Sequence, residues 1–138
     1  MKKYFIFAVT LFLSACGSMN VSRDAMMNAN YGARPSNSEA AASARGYFEQ
    51  ILIDPDSLKL RCNKNIRKGW ARDSMYDAPI YGYLLRCDVN AKNRFGGYTG
   101  TKDYVLVLNG TRVMFALEVS RSENVARTLN HLFMGYAE

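Results

Sequence analysis

Polar and hydrophobic positions alternate along the middle of the chain, which is the pattern of half-buried strands. The alternation is clear in Ser57–Lys64 and Ile80–Asn90, and weaker in Asn65–Arg72. Asp73–Pro79 lacks it and is predicted to be a loop. The middle of the chain therefore predicts a run of antiparallel strands.

A β-hairpin is predicted at Asn109-Gly110, because this dipeptide favours the tight turn that joins two adjacent strands. The strands on either side are Lys102–Leu108 and Thr111–Val119. A two-residue turn would place Leu106 opposite Val113. One face of this hairpin should then carry Tyr104, Leu106, Leu108, Val113, Phe115 and Leu117.

The segment before the first strand repeats its apolar positions every three or four residues, as an amphipathic helix does. Ser36 and Glu39 have the spacing of a capping box and mark the start of this helix. Asp54 precedes a proline, which disfavours α backbone, so the helix should end near Ile53. Its apolar stripe comprises Ala40, Ala44, Tyr47, Phe48, Ile51 and Leu52.

A second helix is predicted at the end of the chain, where Ser120 and Glu123 repeat the capping-box spacing. Its apolar stripe comprises Val125, Leu129, Leu132, Phe133 and Tyr136. The order of elements predicts an α+β fold, in which an antiparallel sheet of about four strands packs with an N-terminal and a C-terminal helix. We expect a single domain over residues 36–138.

The N-terminus has the organisation of an export signal. Two lysines follow Met1, Tyr4–Leu13 is almost wholly apolar, and small residues come directly after it. Ten apolar residues are too few to span a bilayer. Leu13-Ser14-Ala15-Cys16 resembles the lipobox of bacterial lipoproteins.

This resemblance implies that residues 1–15 are a signal peptide and that Cys16 becomes the lipid-modified first residue. Gly17, rather than an aspartate, then favours the outer membrane over the inner one. Several acyl chains hold a protein on a bilayer far more firmly than one chain does. Residues 16–35 are predicted to be a flexible tether between the lipid and the domain. The alternative is an ordinary secretory signal followed by a disulfide cysteine.

Cys62 and Cys87 remain as an even pair in an oxidising compartment. By alternation, each cysteine lies on the apolar face of its strand. A disulfide between them would fit this placement. The alternative is a pair of free thiols in the core.

The composition fits one folded domain, with 138 residues of which 49% are hydrophobic. The 18 basic and 12 acidic side chains give a net charge of +6, and cleavage before Cys16 would remove two lysines. One basic run contains no acidic residue. We interpret it as solvated surface; the second interpretation is an electrostatic contact with lipid head groups, lipopolysaccharide or an acidic partner. We expect no nucleic-acid partner for an exported lipoprotein. The run contains Lys59, Arg61, Lys64, Arg67 and Lys68.

A loop with three glycines follows the longest strand and combines cations with aromatic rings. Its glycine spacing fits neither a P-loop nor a dinucleotide-binding motif. This mixture suits recognition of a peptide, a glycan or an acidic group, although the glycines could equally serve only the geometry of a long connection. The predicted contact residues are Lys92, Asn93, Arg94, Phe95 and Tyr98, with Arg61, Arg67 and Lys68 as an electrostatic rim.

Four short segments resemble a pattern found in small, mostly uncharacterised exported proteins of bacteria. The resemblance covers about residues 46–110 and implies a shared domain without an activity that can be transferred. The segments are Asp54-Pro55-Asp56-Ser57, Lys68-Gly69-Trp70, Tyr81-Gly82-Tyr83 and the loop from Asn90 to Gly100.

Catalytic chemistry finds little support in this sequence. His131 lacks a neighbouring cysteine or acidic residue at ligand spacing, and no serine or cysteine lies in a nucleophile motif. We therefore expect no enzyme, no metal and no other cofactor. The leading hypothesis is a lipid-anchored binding or accessory module, with a protein partner in the cell envelope. An inhibitor of a cell-wall hydrolase such as lysozyme is the alternative, and a degradative envelope enzyme is a third.

Overall fold

The computed structural model describes residues 20–119 and 134–137, which form an α+β fold with a curled antiparallel sheet. Two helices precede the sheet, and a short 3₁₀ turn, Pro55–Ser57, leads into it. The helices are α1 (Arg23–Asn28) and α2 (Asn37–Ile51). The strands are β1 (Lys59–Cys62), β2 (Arg67–Ala71), β3 (Ile80–Asn90), β4 (Lys102–Asn109), β5 (Arg112–Val119) and β6 (Met134–Tyr136).

Strand β3 is the centre of the sheet. The strands are ordered β5-β4-β3-β2-β6, and β1 also pairs with β3. Both β1 and β2 fit along one edge of β3 because they use different parts of it: β2 pairs with Ile80–Leu84 and β1 with Cys87–Asn90. The expected α+β class is confirmed, but the described residues contain six strands rather than about four.

The two faces of the sheet carry different apolar clusters. Helix α2 packs against one face through Ala40, Ala44 and Phe48, each at most 1% exposed. The predicted apolar face of β3 belongs to this cluster, which contains Tyr83, Leu85, Cys87 and Val89 with Tyr81 partly buried. The opposite face carries Ala71, Leu84, Val105, Val107, Val119 and Met134.

The predicted register of the hairpin is wrong. Leu106 lies opposite Ala116, not Val113, for two reasons. The turn residues are Gly110 and Thr111 rather than Asn109 and Gly110, and the pairing of β4 with β5 shifts again between Val107 and Leu108. Such an irregularity changes which side chains share a face beyond it. Phe115 and Leu117 consequently pack with the second cluster, while Val113 stays with the first.

Helix α2 begins as predicted, with a complete capping box. The Ser36 amide donates to Glu39 Oε2 at 2.8 Å, and the Glu39 amide donates to Ser36 Oγ at 3.2 Å. The hydrogen bond from the Ser36 backbone lowers the pKa of the Glu39 carboxyl. The last helical residue is Ile51, close to the predicted end.

Part of the segment that we assigned to the tether lies against the domain. Tyr31 is 8% exposed, and its ring meets that of Tyr81 edge to face at 5.8 Å between centroids. The Gly110 amide donates to the Ala33 carbonyl at 2.8 Å, which ties this segment to the β4–β5 turn. Helix α1 precedes this contact and was not predicted.

The predicted C-terminal helix lies mostly outside the described residues, as does His131. Its last part is wrong, because Met134–Tyr136 forms β6 and pairs with β2. The glycine at position 135 explains this outcome, since it lies opposite Trp70 and a Cβ there would meet the indole nitrogen at 2.6 Å. The strand was predicted as helix because the apolar residues around it are spaced as in a helix.

The predicted disulfide is present. Cys62 and Cys87 lie directly opposite each other on β1 and β3, with their Cα atoms 4.0 Å apart. The bond joins the short strand β1 to the central strand and closes a loop of sequence separation 25.

Removal of this bond should destabilise the domain. The variant Cys62→Ala/Cys87→Ala should lose about 3–4 kcal/mol of unfolding free energy, because its unfolded chain is no longer constrained. Urea denaturation of the oxidised protein and the variant measures the difference. The reduced wild-type protein is the control and should match the variant; equal stability of all three would contradict a stabilising role.

Glycine is required on β3 where the strands approach closely. A Cβ on Gly82 would lie 2.6 Å from both the Leu108 carbonyl oxygen and Val107 Cγ1. We expect Gly82→Ala to destabilise the protein by about 1–3 kcal/mol through overpacking. Gly46 of α2 is the matched control, since a Cβ there meets nothing within 4 Å. Gly46→Ala should stabilise by about 0.5–1 kcal/mol; equal effects in thermal unfolding would contradict the packing argument.

Candidate functional site

The loop between β3 and β4 is joined to the 3₁₀ turn by a buried serine. Ser57 Oγ donates to the Asp54 carbonyl at 2.7 Å and accepts from the Lys92 amide at 2.8 Å. Its own carbonyl accepts from the Tyr98 hydroxyl at 3.2 Å. Since Ser57 is only 8% exposed, these bonds are partly shielded from water, and they join the loop to the 3₁₀ turn at Lys92 and Tyr98.

Asn93 shapes the tip of this loop. Its amide donates to the Gly97 carbonyl at 2.9 Å, and its carbonyl accepts from the Gly96 amide at 3.0 Å. Its side-chain oxygen accepts from the amides of Phe95 and Gly97 at 2.9 and 3.2 Å. Gly96 has φ +80°, a conformation that favours glycine. Asn93 and Gly96 therefore set the geometry of the turn.

The ordered turn presents Phe95 to solvent. The phenylalanine is 87% exposed, and the guanidinium carbon of Arg94 lies 5.7 Å from its ring centroid. An exposed aromatic ring on a fixed backbone is a suitable anchor for a partner, because little conformational entropy is lost when it is buried.

Two lysines lie around the neighbouring tyrosine. Lys59 Nζ is 4.2 Å and Lys92 Nζ 5.7 Å from the centroid of the Tyr98 ring. Within residues 20–119 and 134–137, no carboxylate forms an ion pair with either lysine or with Arg94. We call Lys59, Lys92, Arg94, Phe95 and Tyr98 the loop surface; it is cationic, aromatic and uncompensated by described acidic groups.

An apolar cleft of about 290 Å³ adjoins the loop surface. It lies between the end of α2 and the start of β4, and it includes Lys92 and Asn93 in its lining. Ile51 and Ile53 beside it are 56% and 73% exposed, so apolar area at this end is open to solvent. The loop surface therefore combines positive charge with adjacent hydrophobic area.

Tyr104 lies at the inner side of this cleft. Its hydroxyl donates to Glu118 Oε2 at 3.0 Å, and Lys102 Nζ contacts the same oxygen at 3.0 Å. Burial, followed by the hydrogen bond and charge of Glu118, raises the pKa of the Tyr104 hydroxyl to about 12. The tyrosine is therefore protonated at neutral pH and serves as a hydrogen-bond donor.

The predicted electrostatic rim is divided between two regions. Arg61 is on β1, where its guanidinium contacts Asp88 Oδ2 at 2.8 Å. Arg67 and Lys68 pair with Leu84 and Tyr83 of β3, far along that strand from the loop. Lys59, which we did not assign to the site, lies beside Tyr98 instead. The feature of the sequence that could have indicated Lys59 is its outward position at the start of β1.

The segments of the four-part pattern are neighbours in space. Ser57 of the first segment binds the loop that forms the last one. Gly69 of the second segment lies opposite Gly82 of the third on adjacent strands. The pattern therefore marks residues that shape two strand contacts and one loop.

The described part of the chain contains no group of three or more histidine, cysteine or acidic side chains suited to a metal ion. None of its helices combines the length and hydropathy needed to cross a bilayer. Cys16 lies outside the described residues, so its modification stays a prediction.

Comparison with known proteins gives no match. No protein-family model, no curated protein and no solved structure corresponds significantly to this chain.

The role of Ser57 can be tested by removing its hydroxyl. Ser57→Ala leaves the Lys92 amide without its acceptor, so we expect amide exchange at Lys92 to accelerate at least about tenfold, corresponding to about 1–2 kcal/mol. Hydrogen exchange read by NMR measures this change. Ser43→Ala is the matched control, because the Ser43 hydroxyl donates only within α2, to the Glu39 carbonyl at 2.8 Å. Unchanged exchange at Lys92 would contradict the proposed connection.

Proposed function

We propose that this protein is a non-catalytic, lipid-anchored module of the bacterial cell envelope that binds a partner through its loop surface. The lipobox-like segment ending at Cys16 supports the anchor, and Gly17 favours the outer membrane. The disulfide between Cys62 and Cys87 is consistent with export, because such bonds persist in oxidising compartments.

The observation that carries the binding role is the exposure of Phe95 on an ordered turn among three cations. Asn93 and Ser57 hold the backbone of the turn, so the ring and the charges keep a fixed arrangement. These hydrogen bonds order the backbone around an aromatic ring that is 87% exposed, and large aromatic side chains are the usual anchors of interfaces.

The charges of the loop surface define the chemistry of the partner. Lys59, Lys92 and Arg94 favour a surface rich in carboxylates, and complementary charge accelerates association. Phe95 requires an apolar pocket, since burial of an aromatic anchor supplies much of the affinity at interfaces. We therefore propose an acidic envelope protein with an apolar pocket as the partner.

Inhibition of a cell-wall hydrolase is the second candidate. Lysozyme-type hydrolases cleave glycosides with a pair of carboxyl groups in a cleft. Arg94 and Phe95 lie together at the tip of a narrow turn, which is a suitable shape and charge for such a cleft. A lysozyme inhibition assay with the purified protein separates this role from the accessory role.

Crosslinking in intact cells tests the contact surface. A photoreactive amino acid at Phe95 should give a discrete adduct, whereas the same substitution at Met114 of β5, which is 43% exposed, should give none. Lys92→Ala/Arg94→Ala should reduce the Phe95 adduct several-fold, because the remaining ring lacks charge complementarity. The matched variant Lys64→Ala/Arg112→Ala should leave it unchanged.

Two results would contradict the proposal. Equal crosslinking from Phe95 and Met114 would contradict the assignment of the loop surface as the contact site. The absence of acyl chains on Cys16 of the processed protein, measured by mass spectrometry, would contradict the proposed lipid anchor.

A further inference from the structure

A second cationic region lies at the other end of β3, beside the segment that enters from the N-terminus. Two adjoining depressions of about 570 and 470 Å³ share Lys68 and Ala137 in their lining. The first also includes Arg23, and the second includes Arg34 and Arg67. We call Arg23, Arg34, Arg67 and Lys68 the basic face.

Aromatic rings and a carbonyl, rather than carboxylates, orient these cations. The guanidinium carbon of Arg67 is 4.4 Å from the Tyr136 ring centroid, and Lys68 Nζ is 5.4 Å from that of Tyr31. Arg34 Nη2 donates to the Ile66 carbonyl at 3.4 Å. Among the described residues, no acidic side chain lines either depression, so the charges stay available to an external anion.

The length of the chain before α1 restricts how far this face can be from a lipid on Cys16. Arg23 is the seventh residue after Cys16, and seven fully extended residues span at most about 25 Å. Arg23 also lines the first depression, together with Met26 and the 81% exposed Met27. A lipid anchor would therefore hold the basic face close to the bilayer surface.

The loop surface lies far from this region. Lys68 pairs with Tyr83, and β3 continues from there for seven residues to Asn90, where the loop begins, which corresponds to about 23 Å of strand. Contact of the basic face with a membrane would therefore direct the loop surface away from that membrane.

We propose that the basic face binds the phosphate groups of anionic phospholipids in the leaflet that holds the anchor, and thereby orients the domain. This inference rests on the lipid modification of Cys16 in the proposed function. Four cations grouped beside the half-buried Met26 and the exposed Met27 complement a surface of phosphates above acyl chains. The attraction depends on the charge of the lipid and should weaken as salt increases.

Labelling of lysines in the mature lipidated protein tests the orientation. The protein is reconstituted in vesicles of phosphatidylcholine, with or without phosphatidylglycerol, and treated with an amine-reactive reagent. We expect phosphatidylglycerol to reduce labelling of Lys68 about threefold or more, because local lipid phosphates cover it. Labelling of Lys92 should stay the same, and added inorganic phosphate should not protect Lys68 in phosphatidylcholine vesicles.

Two matched triple variants identify the cations that are responsible. Arg23→Gln/Arg34→Gln/Arg67→Gln should abolish the protection of Lys68. Arg45→Gln/Arg86→Gln/Arg112→Gln removes the same amount of charge from exposed positions elsewhere. In this variant Lys68 should still be protected. Equal labelling of Lys68 in both kinds of vesicle, or protection of Lys92 instead, would overturn the proposal. Failure of the anchor itself is distinguishable, because the protein would then lack acyl mass and would not remain with the vesicles.

Discussion

The hydrogen-bond ladder of β3 is the constraint on which the described structure depends. β2 and β1 use successive parts of one edge of this strand, while β4 occupies the other edge. The disulfide fixes the shortest of these pairings at Cys62 and Cys87. Because the basic face and the loop surface lie near opposite ends of β3, a change in its register would displace both regions together.

Features set by local chemistry could be predicted from the sequence. The bounds of β3 follow from alternation, the start of α2 from the spacing of Ser36 and Glu39, and the disulfide from two cysteines on inward positions. Features set by tertiary contacts could not. The turn at Gly110-Thr111 and the shift at Val107 appear only in the pairing of β4 with β5, and β6 pairs with β2 where Gly135 leaves space for Trp70.

The loop between β3 and β4 likewise has features that follow from the sequence and features that depend on tertiary contacts. Its aromatic and cationic residues could be selected from composition, but the sequence does not distinguish a residue that shapes the turn, such as Asn93, from an exposed residue such as Phe95. The contribution of Lys59 arises because β1 pairs with the end of β3, where Lys59 lies opposite Asn90. Arg67 and Lys68 are close to Lys59 in sequence, but the chain continues along the same edge of β3, so they lie opposite Leu84 and Tyr83, further from the loop.

The pairing of β2 with β6 has a consequence for the order in which the molecule can form. Trp70 lies opposite Gly135, a residue close to the C-terminal end of the chain. The outer hydrogen-bonding groups of β2 therefore stay unpaired until β6, about 65 residues further along the chain, has reached them. Closure of this edge is thus a contact of long sequence separation, which forms more slowly than the pairings of neighbouring strands.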